Sequence, residues 1–267
     1  MVRVSVVKFG EVPQSSIEHI LKVISGCYEV IGEPRSEYIE LYVFEKSEGE
    51  IFFATHDALG GKPRIGIYLD RLLSLSDLVG AAGVRRQAAH SVLHGSPEFY
   101  LIPFPESLLQ AVKRYQLPLE YAYKLLQATG MAAKEYQVTD LLYEKGFVED
   151  QAAYAKYILE PSGEEILAWE IASKNKLEKI LHLSSILRDV SCALPLLQEP
   201  RLGTELQMCI GRKLTHLTPA YQVKLQEIIS QTFSSLTHDL FQNISSITQA
   251  VIQELLDYEL SSQSPEA

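Results

Sequence analysis

The periodicity of apolar residues changes once along this chain, close to residue 70, and this change constrains the fold class more than any other feature. Before it, five short segments are rich in β-branched and aromatic residues or alternate apolar with polar residues, which is typical of strands: 2–9, 28–31, 38–44, 51–54 and 64–70. Beyond it, apolar residues recur every three or four positions, which is typical of helices. We therefore expect an α+β protein, with an N-terminal mixed α/β part built on a small sheet and a mainly helical C-terminal region.

A proline and a glycine mark the best boundary between these two parts. The run Glu-Pro-Ser-Gly at residues 160–163 ends one predicted helix and precedes the next. We therefore predict a domain over residues 1–160 and a helical bundle over residues 161–267 that packs on it. The last helical segment, residues 219–260, carries an apolar face with a break inside it, and this face could bind a protein partner or a second copy of the chain.

Composition and charge exclude several classes of protein. The 267 residues are 46% hydrophobic and 22% charged, which is an ordinary globular balance, and the formal net charge is −10. An acidic chain is a poor candidate for holding nucleic acid or an anionic membrane through a general basic field. No apolar run approaches the roughly 20 residues of a membrane helix, and the N-terminus is too short and strand-like for a signal peptide. We expect a cytoplasmic protein whose three cysteines are buried thiols.

The pattern with the clearest chemical meaning is HSVLH at residues 90–94. His90 and His94 stand four positions apart in a predicted helix that begins near Ser76 and ends at Gly95, so they share one helix face. Their imidazoles can converge on one metal ion at the Zn–N distance of about 2.0–2.1 Å. The alternative is a pair of helix histidines that are hydrogen-bonded to neighbouring groups.

The order of elements around this pattern resembles that of the zincin metallopeptidases, especially their small gluzincin-like form. In that family an edge strand lies beside the active-site helix, the helix carries H-E-x-x-H, and a later helix supplies the third metal ligand. The resemblance covers roughly residues 1–145. The sequence of residues 90–100 also resembles that of an uncharacterised prokaryotic protein family of no established activity. The resemblance implies that His90 and His94 bind a divalent metal, zinc in the first place.

The chain departs from the zincin pattern at the catalytic position. The zincin glutamate that follows the first histidine acts as a general base, and Ser91 stands there in this chain. A hydroxyl cannot accept a proton at neutral pH as a carboxylate does. The resemblance therefore implies a metal-binding protein that lacks peptidase activity. Glu98, four residues beyond His94, is an alternative base, whereas Ser91 as a nucleophile would need an activating base of its own.

A metal site would need a third ligand, and the resemblance points to a later helix. The extended pattern of the metzincin branch fails, because its third histidine would occupy the position of Tyr100. The gluzincin pattern takes a glutamate, for which Glu135 is the nearest match because it lies on or beside the apolar face of its helix. Glu135 could instead pair with Lys134 or an arginine, and Glu120 competes with it for the role of ligand.

Two further side chains could serve the same site. Arg86 precedes His90 by four residues and shares its helix face, so it could bind a carboxylate or phosphate ligand, or form a salt bridge with an acidic neighbour. His56 stands beside Asp57 just before a glycine loop, where it could reach a site beside the strand at residues 65–70, although we expect it to be a surface-loop histidine.

Three functions are compatible with these residues. The first is a zincin-like metal-binding protein without the catalytic glutamate. The second is a metal-free helical interaction or scaffold protein that acts through residues 219–260. The third is a metal-dependent hydrolase whose base is Glu98 or another carboxylate.

Overall fold

A computed structural model describes residues 2–261 and confirms the mixed α+β class. The strands of these residues are β1 (Arg3–Phe9), β2 (Tyr38–Phe44), β3 (Ala54–Asp57) and β4 (Arg64–Tyr68). They form one sheet in the order β1-β2-β4-β3. β1, β2 and β4 run parallel, whereas β3 pairs with β4 in the antiparallel direction and forms one edge of the sheet.

Helices make up most of the remaining described chain. They are α1 (Gln14–Ile31), α2 (Leu69–Leu72), α3 (Asp77–Leu93), α4 (Glu106–Tyr115), α5 (Leu119–Glu144), α6 (Val148–Leu159), α7 (Gly163–Ala172), α8 (Lys176–Ser191), α9 (Gly203–Leu214), α10 (Pro219–Glu227), α11 (Leu240–Val251) and α12 (Asp257–Ser261). Short 3-10 turns span Pro97–Phe99, Leu194–Gln198 and Phe233–Ser235, and single π-helical turns span Ile228–Thr232 and Ile252–Leu256. Among residues 2–261, no helix is both long and apolar enough to cross a bilayer.

The chain divides into two compact units, and the first is built from two separate stretches. Unit 1 comprises Met1–Leu101 and Val138–Tyr157, and unit 2 comprises Ile102–Gln137 and Ile158–Ala267. The second stretch of unit 1 ends at Tyr157, close to the boundary that the sequence predicts at residue 160. The sequence pattern nevertheless places residues 102–137 before that boundary, because helical periodicity does not reveal which core a helix joins.

The core of unit 1 lies on one face of the sheet. Alternate side chains of β2 and β4 are fully buried on this face, because strand side chains point to opposite sides with period 2: Ile39, Leu41, Val43, Ile65 and Ile67. Apolar residues of α1 and α3 complete the same core, among them Ile24, Val84 and Ala88. The opposite face of the sheet is only partly buried.

Two predicted strands differ from the structure. Residues 28–31 continue α1, because Ile24, Cys27 and Tyr28 extend its buried face without interruption. That helix ends at Gly32, whose positive φ of 93° favours glycine. The predicted strand at residues 51–54 lies further along the chain, at Ala54–Asp57.

Other sequence predictions agree with the structure. The segment at residues 219–260 breaks between Phe233–Ser235 and α11, where the Asp239 side chain caps α11 by accepting a hydrogen bond from the Gln242 N–H. All three cysteines are buried thiols, and none forms a disulfide within residues 2–261: Cys27, Cys192 and Cys209.

A buried lysine joins three helices of unit 2. The Nζ of Lys213 on α9 lies 2.8 Å from a carboxylate oxygen of Glu165 on α7 and 3.1 Å from one of Asp189 on α8. It also donates to the Ile158 carbonyl at 3.2 Å, and its side chain is only 4% exposed. A buried ammonium needs such partners, because burying an isolated charge is costly.

Candidate functional site

The two histidines of the HSVLH pattern lie at the C-terminal end of α3, with His90 in its last turn and His94 directly after its last residue. This helix begins at the Ser76 cap, whose hydroxyl accepts a hydrogen bond from the Val79 N–H, and it ends at Leu93. The backbone N–H of His94 still donates to the His90 carbonyl at 2.7 Å, so the two residues lie one turn apart. Their side chains are almost completely buried, with His90 4% and His94 1% exposed.

The imidazoles of His90 and His94 face each other. Their Nδ1 atoms are 3.1 Å apart, and their ring centroids are 5.3 Å apart. Two Zn–N bonds at a tetrahedral angle would hold the nitrogens about 3.3–3.4 Å apart, which is close to this distance. The same distance fits an N–H···N hydrogen bond, in which one ring donates and the other accepts. The pair can therefore share either a metal ion or a proton.

A third histidine joins this pair from the edge strand of the sheet. His56 lies on β3 opposite Ile65 of β4, so it points to the core face rather than to solvent. Its ring stacks on that of His90, with centroids 5.7 Å apart and planes 17° apart. The prediction of a surface-loop histidine was therefore wrong, because it placed the preceding strand three residues too early. Ala54 and His56 alternate with the polar residues Thr55 and Asp57. This alternation is the sequence signal for a strand that continues to residue 57.

The turn that follows α3 brings two aromatic residues against the histidines. The Tyr100 hydroxyl lies 2.5 Å from Nδ1 of His56, and the Phe99 ring meets the His94 ring edge-on at 5.7 Å. Gly95 allows the chain to turn here, because a Cβ at this position would overlap the Ser91 carbonyl. In the sequence, Tyr100 stands out only as the residue that replaces a metzincin ligand, and no local pattern indicates its contact with His56.

The hydroxyl of Ser91 is engaged in the core between α1 and α3. It donates to the Ala88 carbonyl at 2.6 Å and lies 2.6 Å from the Tyr28 hydroxyl. Since its one proton goes to the carbonyl, Tyr28 must donate to Ser91. Burial raises the pKa of Tyr28, so this phenol stays protonated and keeps donating. In this arrangement Ser91 neither accepts a proton from water nor attacks a substrate.

We expect the Ser91–Tyr28 pair to show coupling in a double-mutant cycle. Ser91→Ala leaves a buried phenol without its acceptor and should lower the free energy of unfolding by about 1–2 kcal/mol. Tyr28→Phe should cost about 1 kcal/mol, and the double variant should cost less than the sum of the two. Urea unfolding followed by circular dichroism measures all three. Strictly additive losses would show that the hydroxyls do not stabilise each other.

Glu98 lies on the surface, in the Pro97–Phe99 turn. The Ser96 hydroxyl donates to its carboxylate, and this hydrogen bond lowers the pKa of Glu98 below its usual value. A lower pKa makes the carboxylate a weaker proton acceptor.

Arg86 is fully buried within unit 1. Its Nη1 donates to the Thr139 hydroxyl at 2.8 Å and to the Gln151 side-chain carbonyl at 3.0 Å. Its guanidinium lies 4.8 Å from the centre of the Tyr154 ring. These contacts tie α3 to α5 and α6, one helical turn before His90.

The two candidate glutamates lie on α5 in unit 2. The Cys192 thiol donates to Glu135 at 3.7 Å, and Glu135 also interacts with Arg188 and with Lys134. Burial lowers the pKa of Lys134 to about 8. Glu120 is an exposed surface residue. Its carboxylate lies 2.8 Å from the Nζ of Lys124, which follows it by four residues in the same helix.

The histidines of this region are the residues that could contribute to a metal site. Across residues 2–261, no group of three or more histidine, cysteine or acidic side chains is arranged so that it could hold a metal ion. The His90–His94 pair supplies two nitrogens in suitable positions, and His56 lies next to them. Comparison of this chain with protein-family models, with curated proteins and with solved structures gave no match.

Proposed function

We propose that this protein binds a divalent transition metal, Zn²⁺ in the first place, through His90 and His94, and that it is not a peptidase. The observation that carries the proposal is the 3.1 Å separation of the two Nδ1 atoms. Two buried imidazoles whose nitrogens meet at this distance match two neighbouring ligands of one ion. Neutral imidazole is also a ligand that zinc prefers.

The third ligand would come from His56. His56 belongs to the same unit as the pair and its ring already stacks on His90, so a small rotation could turn a nitrogen toward the ion. Glu135 is the ligand that the gluzincin resemblance implies, but it belongs to unit 2. Three protein ligands would leave a fourth position for water or a bound molecule.

Two features support a zincin-like first domain without peptidase activity. An antiparallel edge strand, β3, lies beside the helix that carries the histidines, as the resemblance requires. The position of the catalytic glutamate is taken by Ser91, whose hydroxyl is engaged by Tyr28 and Ala88. Glu98, the alternative base, is exposed in the turn after α3, and the Ser96 hydroxyl that donates to its carboxylate lowers the pKa of Glu98, which weakens it as a base. We expect the protein to act in the cytoplasm, where its buried thiols stay reduced.

Elemental mass spectrometry after equilibrium dialysis against Zn²⁺ tests the proposal. The wild type should hold about one zinc per chain, and His90→Ala/His94→Ala should hold none, because both nitrogens are gone. His19→Ala is the matched control, since His19 is exposed on α1 of the same unit. Saturating zinc should also raise the melting temperature of the wild type and of the control, but not that of the double variant.

Substitution of His56 tests the third ligand. His56→Gln keeps much of the side-chain volume and should weaken zinc affinity by at least about tenfold, whereas Glu135→Gln, in unit 2, should leave it unchanged. A wild-type protein that takes up no zinc, or a double variant that keeps it, would overturn the proposal. In that case the same 3.1 Å contact is a histidine–histidine hydrogen bond in a metal-free interaction protein.

A further inference from the structure

The edge of the sheet opposite β3 is formed by β1, which pairs only with β2 among the described strands. The N–H of Arg3 donates to the Glu37 carbonyl, and the carbonyl of Phe9 accepts from the Glu45 N–H. Odd-numbered residues of β1 therefore direct their backbone groups toward β2. The backbone groups that point away from the sheet belong to Val4, Val6 and Lys8.

A row of stacked aromatic rings reaches this open edge on the partly exposed face of the sheet. Phe9 of β1 stacks on Phe44 of β2 with centroids 4.5 Å apart, and Phe44 stacks on Tyr68 of β4 at 4.9 Å. Phe9 is 45% exposed, because the row ends there and no further strand of residues 2–261 covers the outer face of its ring. An edge with an exposed aromatic face and open backbone groups is a site for strand addition.

The other end of β1 carries a cation in the same side-chain layer. Arg3 holds its guanidinium 5.7 Å from the centre of the Tyr38 ring and donates to the Tyr38 hydroxyl at 3.1 Å. Lys62 approaches the same ring, with Nζ 5.8 Å from its centre. Arg3 and Phe9 both lie on the partly exposed face, since they are six residues apart in one strand.

We propose that two copies of this chain associate through β1, in antiparallel register centred on Val6, so that their sheets join into one of eight strands. This register pairs the whole of β1 with itself. Val6 faces Val6 of the second copy, and Val4 faces Lys8 of the second copy at both ends. These are the residues with outward backbone groups, so each of the three facing pairs exchanges two hydrogen bonds.

The side chains of β1 are complementary in this register. Arg3 of one copy lies opposite Phe9 of the other, where a guanidinium can cover the exposed ring face. The row Tyr68–Phe44–Phe9 then continues through Arg3 and Tyr38 of the second copy. Lys8 faces a valine, so no like charges oppose each other directly. This self-complementarity favours a second copy over an unrelated strand.

Analytical ultracentrifugation of the full chain tests the inference. A seven-residue edge is a small interface, so we expect a dimer that dissociates on dilution, with a dissociation constant on the order of micromolar. Val6→Pro removes an outward N–H that β2 does not use, so the sheet should persist while the chain becomes monomeric. Phe9→Ala and Arg3→Ala should each weaken association by about tenfold. Val223→Asp, on an exposed position of α10, is the control for association through the C-terminal helices.

A second measurement applies even if Val6→Pro fails to fold. Ser5 and Val7 of facing copies lie opposite each other at positions without cross-strand hydrogen bonds, so Ser5→Cys/Val7→Cys should form a disulfide-linked dimer on mild oxidation. A wild-type chain that stays monomeric at hundreds of micromolar would overturn the inference. A dimer that persists in Val6→Pro, or that is lost in Val223→Asp, would also overturn it. A Ser5→Cys/Val7→Cys chain that does not cross-link would overturn it as well.

Discussion

Replacing Lys213 with methionine is expected to lower the free energy of unfolding by about 3–5 kcal/mol. The ammonium of Lys213 lies between the carboxylates of Glu165 and Asp189, and both carboxylates are also largely shielded from solvent. Methionine fills a similar volume but leaves the partly buried carboxylate of Glu165 without its cation and that of Asp189 with Arg188 alone. The cost therefore comes mainly from the charges that remain, and the lost ion pairs add to it.

Lys124→Met is the matched control for this prediction. Lys124 also pairs with a carboxylate, that of Glu120, but both side chains are more than half exposed. Exposed pairs contribute little, so the control should change stability by less than about 0.5 kcal/mol. Urea unfolding followed by circular dichroism compares the two variants. Equal losses for Lys213→Met and Lys124→Met would mean that burial does not set the strength of the Lys213 site.

Gly83→Ala is expected to destabilise the protein, although alanine favours helices more than glycine does. Gly83 lies in α3, and a Cβ at this position would overlap the ring of Phe53. Phe53 is buried and meets the rings of Tyr154 and Tyr157 at 6.2 and 6.3 Å, so it has little room to move. We expect a net loss of about 2 kcal/mol from this overpacking.

Gly80→Ala, one helical turn earlier, should have the opposite sign. The nearest atom to its added Cβ is a terminal methyl carbon of Leu72 at 3.1 Å, which a small side-chain rotation can displace. Alanine should then gain up to about 1 kcal/mol from helix propensity. Thermal and urea unfolding should separate the two variants by about 3 kcal/mol. Gly83→Ala as stable as the wild type would show that Phe53 yields to the added methyl group.

Local patterns predicted those parts of the fold that depend on neighbours in sequence. The strands β1, β2 and β4 alternate clearly or are β-branched, and His90 and His94 meet because a helix brings residues four apart onto one face. The strand β3 has only four residues, and its apolar run begins before the strand does, so His56 was misplaced.

Contacts between residues far apart in sequence could not be predicted. The Tyr28–Ser91 hydrogen bond joins residues that are 63 positions apart, and the Arg86–Gln151 contact spans 65. Each depends on how whole elements pack, which apolar periodicity does not specify. The Tyr100–His56 contact belongs to the same class, because it requires both the turn after α3 and the edge strand to be in place.

The discontinuous make-up of unit 1 has a consequence for synthesis on the ribosome. The helix that carries the histidines emerges early, but Thr139 and Gln151, two acceptors for Arg86, are translated after the whole of residues 102–137. Chains that terminate before residue 138 will contain the histidines without these contacts to support their helix. We therefore expect such truncated products to be retained by chaperones and degraded, and unit 1 to fold only when its second stretch has left the exit tunnel.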